Sequence, residues 1–141
     1  MHHRFTSDPA EVSARMRLIR SKNTKPELRL FSILSESGIK FTKHALVANI
    51  AVDAVIEGGV LVFVDSPFWH LRDESELRRM SAYWRQRLIK NRMRDRRQER
   101  KLRRRGYCVI RLWADGLEPE RVMRRVEAAQ VRAKGRGLRN H

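Results

Sequence analysis

Two aspartates stand where the hydrophobic pattern of this chain gives them no ordinary use. Asp53 interrupts the apolar run Ile50-Ala51-Val52-Asp53-Ala54-Val55-Ile56, and Asp65 closes the run Val60-Leu61-Val62-Phe63-Val64. A carboxylate inside an apolar strand is costly unless it is paired, hydrogen-bonded or bound to a metal. The plainer readings are an edge strand that turns Asp53 to water and a loop cap for Asp65. Taken together, carboxylates on adjacent strands suit Mg²⁺, which favours hard oxygen ligands and keeps waters that can attack a phosphate ester. Glu27 is a third candidate acid, although Thr24 and Glu27 also have the spacing of a helix capping box. Downstream, Ser66-Pro67-Phe68-Trp69-His70 places two large aromatics and a histidine in a loop. The aromatics suit either a lid over a small core or wedges that stack on bases. His70, beside two carboxylates and a phosphate, could act on water or on the leaving group.

The elements that must hold these residues can be read in order. Residues 1–15 lack a sustained core pattern and form a flexible arm, with a short helix over Ala10–Ile19 at its junction. Thr24-Lys25-Pro26-Glu27 starts a helix whose apolar face is Leu30, Phe31, Ile33 and Leu34 and which ends at Gly38. Phe41 to Asn49 reads as irregular strand and loop, Ile50 to Ile56 as strand, and Val60 to Val64 as a central strand covered on both faces. Glu57-Gly58-Gly59 is a hairpin signal. A three-residue connection sets Asp53 opposite Phe63 and makes Asp65 its diagonal neighbour on one face. A two-residue Gly58-Gly59 turn instead pairs Asp53 with Val64 and sends Asp65 to the other face. Ser66 to about Glu76 reads as loop, Ser81 to Arg104 as one long helix, Tyr107 to Trp113 as strand, and Glu118-Pro119 to about Arg132 as a last helix. Trp84, Leu88, Met93 and Leu102 are the residues of the long helix expected to touch the body. This order describes a mixed α/β domain with helices on a sheet. The domain is placed at 16–131 and a basic tail at 132–141. No phosphate-binding loop or dinucleotide fingerprint is present.

Charge indicates the partner. The 141 residues carry 32 Lys plus Arg against 16 Asp plus Glu, a formal net charge of +16. Between Arg72 and Arg105 there are 15 basic and 5 acidic residues, so the surplus is concentrated on the long helix. Such a surface favours polyanions through counterion release. No apolar run is long enough to span a bilayer and no amphipathic anchor is evident, so no membrane role is expected. Met1-His2-His3-Arg4-Phe5 lacks the apolar stretch of a secretory signal, so none is expected. The single Cys108 excludes an internal disulfide and lies in an apolar run, consistent with a buried thiol and a reducing cytoplasmic setting, there associated with the nucleoid.

Assembled in order, these motifs resemble the very short patch repair (Vsr) endonuclease family. Met16-Arg17-Leu18-Ile19-Arg20-Ser21-Lys22-Asn23-Thr24-Lys25-Pro26-Glu27-Leu28 is similar to its N-terminal signature. The strands through Asp53 and Val62-Phe63-Val64-Asp65, the Phe68-Trp69-His70 motif, Trp84 with Lys90, Asn91, Arg94 and Asp95, and the closing strand through Gly106-Tyr107, Val109, Ile110 and Leu112-Trp113 follow in sequence. The resemblance implies a restriction-endonuclease-like mixed sheet flanked by helices and a Mg²⁺-dependent DNA nicking activity beside G·T mismatches. It implies Asp53 and the Val64 carbonyl as metal ligands with Asp65 at a further site position, His70 as catalytic histidine, and Glu27 as its acidic neighbour. It also implies DNA contacts from Lys22, Phe68, Trp69, Trp84, Lys90, Asn91 and Arg94. The partner is then double-stranded DNA, matched or mismatched, with a recruiting repair protein as a second candidate, and a monomer is expected. Relatives carry Cys and His ligands for a structural zinc where this chain has Pro67, Arg72, Glu74 and Asp115, so no structural zinc is expected. A related endonuclease with another DNA target, and a DNA-binding protein without catalysis, are the competing classes.

Overall fold

The computed structural model describes residues 24–67 and 74–135. Helix α1 (Lys25–Glu36) leads into strands β1 (Phe41–Val47), β2 (Ile50–Ile56) and β3 (Val60–Asp65). A 3₁₀ segment (Glu74–Arg79) precedes the long helix α2 (Ala82–Arg104), strand β4 (Cys108–Trp113), a second 3₁₀ turn (Ala114–Gly116) and helix α3 (Pro119–Gly135). The four strands form one sheet in the order β1-β2-β3-β4. The first two pairings are antiparallel and β3 runs parallel to β4. A parallel neighbour needs a crossover connection, and α2 supplies it.

Both faces of the sheet are covered, which is why β3 is apolar almost throughout. On one face, Leu30, Phe31, Ile33 and Leu34 of α1 and Val122, Val126, Ala129 and Ala133 of α3 pack with Ala54, Ile56, Val60, Val62, Cys108, Ile110 and Leu112. On the other, Leu102 of α2 joins Ile50, Val52, Leu61, Phe63 and Val109. Cys108 is thus a buried core thiol, as its apolar setting suggested. Leu88, Asp95 and Leu102 are the buried residues of α2 and recur every seventh position, a narrow seam along one side of the helix. Leu102 packs into that core as expected and Leu88 is buried, whereas Trp84 and Met93 are exposed. Among the described residues no helix is long and apolar enough to cross a membrane.

The turns follow local chemistry. Gly38 adopts φ +77° beyond α1, where Ile39 N–H reaches back to the Leu34 carbonyl at 3.0 Å and closes the helix end. Ser81 caps α2, its hydroxyl accepting from Trp84 N–H at 3.3 Å. Ala48 and Asn49, at φ +52° and +65°, make the two-residue β1–β2 turn, with both central residues left-handed as a tight hairpin requires. Ile56 pairs with Val60, so Glu57-Gly58-Gly59 is the three-residue connection of the two considered.

One irregularity crosses this hairpin. Lys43 pairs with Ala54 and Ala45 with Val52, but the rung between them, His44 with Asp53, is missing from the ladder. His44 has φ +47°. On either side of this point the strands present opposite faces: Phe41 and Ile56 belong to the core under α1, Val47 and Ile50 to the core under α2. Strict alternation would keep each pair of positions on one face. The sheet therefore turns over locally at His44 and Asp53.

Candidate active site

The first turn of α1 supplies Glu27, which is only 4% exposed. Phe31 follows one turn later on the same helical face and is locked in the core, so the carboxylate above it is aimed at the sheet. It does not close a capping box. Thr24 makes no side-chain cap hydrogen bond, and Glu27 Oε1 lies 3.5 Å from His44 Nε2 instead. The expected box is corrected: the acid is turned into the hairpin irregularity. The nearby helix N-terminus also favours a negative charge at this position.

His44 and Asp53 occupy the missing rung. The His44 ring meets Phe31 edge to face, with centroids 5.3 Å apart at 88°, and this contact fixes the plane of the imidazole. Asp53 Oδ2 accepts a 2.7 Å hydrogen bond from Val64 N–H, which answers how a carboxylate is held in an apolar strand. One donor atom from each of Glu27, His44 and Asp53 lies within 4.8 Å of the other two.

This set fits a divalent cation. It has two carboxylates and one imidazole, and the chain's one cysteine is buried in the core elsewhere. Donors around one small cation, with bonds of about 2.1 Å, lie about 3.0 Å apart when adjacent and about 4.2 Å apart when opposite, so three donors within 4.8 Å of one another are close enough to be drawn onto one ion by side-chain movement. The bond from Val64 N–H does not preclude metal binding, because a carboxylate offers about four lone-pair sites.

Asp65 is placed elsewhere. Its two oxygens accept from Arg111 Nη1 at 3.0 and 3.1 Å, and Arg111 Nε donates to Glu99 Oε1 of α2 at 2.8 Å. The guanidinium carbon sits 4.5 Å from the centre of the Phe63 ring. The three-residue connection alone would have brought Asp65 diagonally beside Asp53. The turnover at Asp53 moves that carboxylate to the α1 side, while Asp65 stays in line with Phe63 on the α2 side. The three-residue connection is the one present, but the shared face that it implied for the two aspartates is not formed.

The charges around Arg111 balance. Burial opposes its protonation, but Asp65, Glu99 and Asp95 outweigh that and hold the guanidinium more firmly charged. Burial likewise pushes the Glu99 carboxyl up, yet its bonds to Arg111 and Arg103 win and lower it below its ordinary value of 4.5.

Among the other expected site residues, Lys22, Phe68, Trp69 and His70 lie outside the described residues, as does the short helix over Ala10–Ile19. On α2, Trp84 and Lys90 are exposed, whereas Asn91 and Arg94 are half-buried, Arg94 Nη2 lying 3.5 Å from Asp95. The sequence reading did not single out His44, Arg111 or Glu99. A usable signal for His44 existed: a two-residue turn at Ala48-Asn49 sets position 44 opposite position 53. A lone Arg in the apolar strand Cys108–Trp113 was an equally legible signal for Arg111.

The known proteins that this chain is similar to are DNA endonucleases and nicking enzymes. The family profile described as DNA mismatch endonuclease Vsr matches residues 6–76, which include Glu27, His44 and Asp53. A type II nicking enzyme of Xanthomonas oryzae pv. oryzae, V.XorIIP, is 34% identical over 102 residues, covering 70% of this chain and 75% of that protein. The type II nicking enzyme V.NmeDIP of Neisseria meningitidis serogroup C is 29% identical over 112 residues, covering 76% of each. V.NaeI of Lentzea aerocolonigenes, also a type II nicking enzyme, is 31% identical over 123 residues, covering 79% of this chain and 74% of its own length. Among solved structures, the catalytic domain of the homing endonuclease I-Bth0305I shares the fold, with a TM-score of 0.56 at 20% identity, covering 79% of this chain and 98% of that one.

Proposed function

The chain belongs to the Vsr endonuclease family, and on that premise we propose that it is a Mg²⁺-dependent enzyme that nicks double-stranded DNA at or beside G·T mismatches. The observation that carries this reading is the convergence of Glu27 and Asp53 beside the Val64 backbone, within the stretch that the family profile covers.

Asp53 and the Val64 carbonyl are the groups that would hold the cation. In an extended strand the N–H and C=O of one residue point to the same edge. The Val64 N–H already reaches Asp53, so its carbonyl faces the same side. Glu27 adds negative charge beside them. A bound Mg²⁺ would supply charge stabilisation at the scissile phosphate and a more acidic water. The chain's own work is to hold these oxygens apart from the core and to fix the Asp53 carboxylate through the Val64 N–H. His70 is proposed on its motif alone as the group that passes a proton between water and phosphate oxygens. Phe68 and Trp69, with Trp84, are proposed to stack at the target step, where unstacking is cheapest at a mismatch.

The basic exposed side of α2 suits the flanking phosphates. Contacts of this kind set register on the duplex but do not read sequence, so mismatch preference is left to Phe68 and Trp69.

The decisive experiment is a single-turnover nicking assay with Mg²⁺ on duplexes that differ only by G·T or G·C at one position. Nicking confined to the G·T duplex is expected. Equal nicking of both would establish a related endonuclease with a different target. Binding without nicking of either would leave only a DNA-binding role.

A further inference from the structure

His44 is the member of the cluster that the Mg²⁺ reading does not use. It interrupts the β1–β2 ladder with a left-handed backbone at φ +47°, which is uncommon for a residue with a side chain, although His tolerates it better than most. Backbone outliers of this kind persist where the surrounding structure holds them, and they gather at functional sites. Phe31 orients the ring, and the Nε2 atom is buried 3.5 Å from Glu27 Oε1, a contact that makes no hydrogen bond, and it has no hydrogen-bond partner among the described residues. A buried ring nitrogen left in that state faces a costly loss of solvation, and it is aimed at the two carboxylates.

We propose that His44 Nε2 is a metal ligand. It makes the cluster a mixed nitrogen–oxygen site that favours a first-row transition cation such as Mn²⁺ over Mg²⁺. The proposal rests on reading Glu27 and Asp53 as part of the cation site, and adds to it the donor that sets selectivity. Mg²⁺ takes oxygen ligands and water, whereas imidazole suits the later divalent cations progressively better. Mg²⁺ can still support the reaction at the higher concentrations a weaker site needs.

The test reads binding rather than turnover. Mn²⁺ and Mg²⁺ affinities are measured by titration calorimetry on the full chain, and Mn²⁺-loaded protein is examined by pulsed electron paramagnetic resonance for coupling to a directly bound nitrogen. The variant His44→Asn tolerates the left-handed backbone but removes the imidazole.

Wild-type protein is expected to bind Mn²⁺ about tenfold or more tightly than Mg²⁺ and to show nitrogen coupling. His44→Asn is expected to lose the coupling and about tenfold in Mn²⁺ affinity, with Mg²⁺ affinity changed by about twofold or less. His70→Ala should retain the coupling. Bound Mn²⁺ without nitrogen coupling in the wild type overturns the proposal whatever the variants do, and leaves His44 as a partner of Glu27. Coupling that vanishes in His70→Ala but persists in His44→Asn overturns it too.

An Asp53→Asn arm separates the two readings. Mn²⁺ binding that survives Asp53→Asn unchanged removes the cluster itself as the cation site. Binding lost in Asp53→Asn, with no nitrogen coupling in the wild type, keeps the site and removes only His44 from it.

Discussion

At the scale of single residues, Asp53 carries the most testable chemistry. Its carboxylate is held by the Val64 N–H at 2.7 Å and shares a 4.8 Å neighbourhood with Glu27 and His44. Asp53→Asn keeps the size of the side chain and removes the charge. We expect it to lower the single-turnover nicking rate by about 100-fold or more, the range lost when a preorganised group at a developing charge is removed. DNA affinity, measured with Ca²⁺ in place of Mg²⁺, should change by no more than about threefold, because phosphate contacts elsewhere dominate it. The fold should survive, since an amide oxygen can still accept from Val64 N–H. A variant that nicks at the wild-type rate would sink the site, and a joint collapse of binding and melting temperature would make Asp53 a structural residue.

Between elements, the Arg111 guanidinium joins three of them. It ties Asp65 at the end of β3 to Glu99 of α2, from its own position on β4 and above the Phe63 ring. Arg111→Met fits the apolar strand but leaves Asp65 buried without this cation. The expected cost is about 3 kcal/mol, or roughly 10 °C in melting temperature for a domain of this size. Adding Asp65→Asn to that variant should recover at least about 1 kcal/mol, which denaturant titration can resolve.

The pH dependence has a definite sign. The folded Glu99 carboxyl titrates below its ordinary value of 4.5 because Arg111 and Arg103 outweigh its burial. A depressed folded value adds stability above the unfolded value and loses it as pH falls through the folded one. The stability gap between wild type and Glu99→Gln should therefore be full at pH 7 and shrink below about pH 4.5. A gap independent of pH would show that Glu99 is held by packing alone.

For the whole molecule, the charge distribution is expected to set DNA binding. The long helix has one buried seam, Leu88, Asp95 and Leu102, and most of its Arg and Lys residues are exposed. Each phosphate neutralised should contribute about 0.9 to the slope of log affinity against log salt. With about five contacts the slope is near −4.5, and reversing two exposed charges (Lys90→Glu with Arg97→Glu) should flatten it by about two. A wild-type affinity that hardly changes between low and physiological salt would overturn the account of binding driven by phosphate contacts.

Much of this was determined by sequence alone. The apolar runs marked three of the four strands, Gly38 and Gly106 ended their helices, and a charge in the run Ile50–Ile56 singled out Asp53, because these signals are local and each is settled by a few neighbouring side chains. The register across Glu57-Gly58-Gly59 remained open in sequence, since both turns satisfy the same glycines. Only the tertiary structure decided the rest. Thr24 and Glu27 have the spacing of a capping box, but a carboxylate chooses its partner by what stands opposite, and His44 stands there. Asp53 and Asp65 have the spacing of a shared face, but one left-handed residue on the neighbouring strand reverses the alternation. Arg111 meets Asp65 across 46 positions and Glu99 across 12. Periodicity describes which way a side chain points along its own element; which group it meets is set by the packing of elements far apart in the chain.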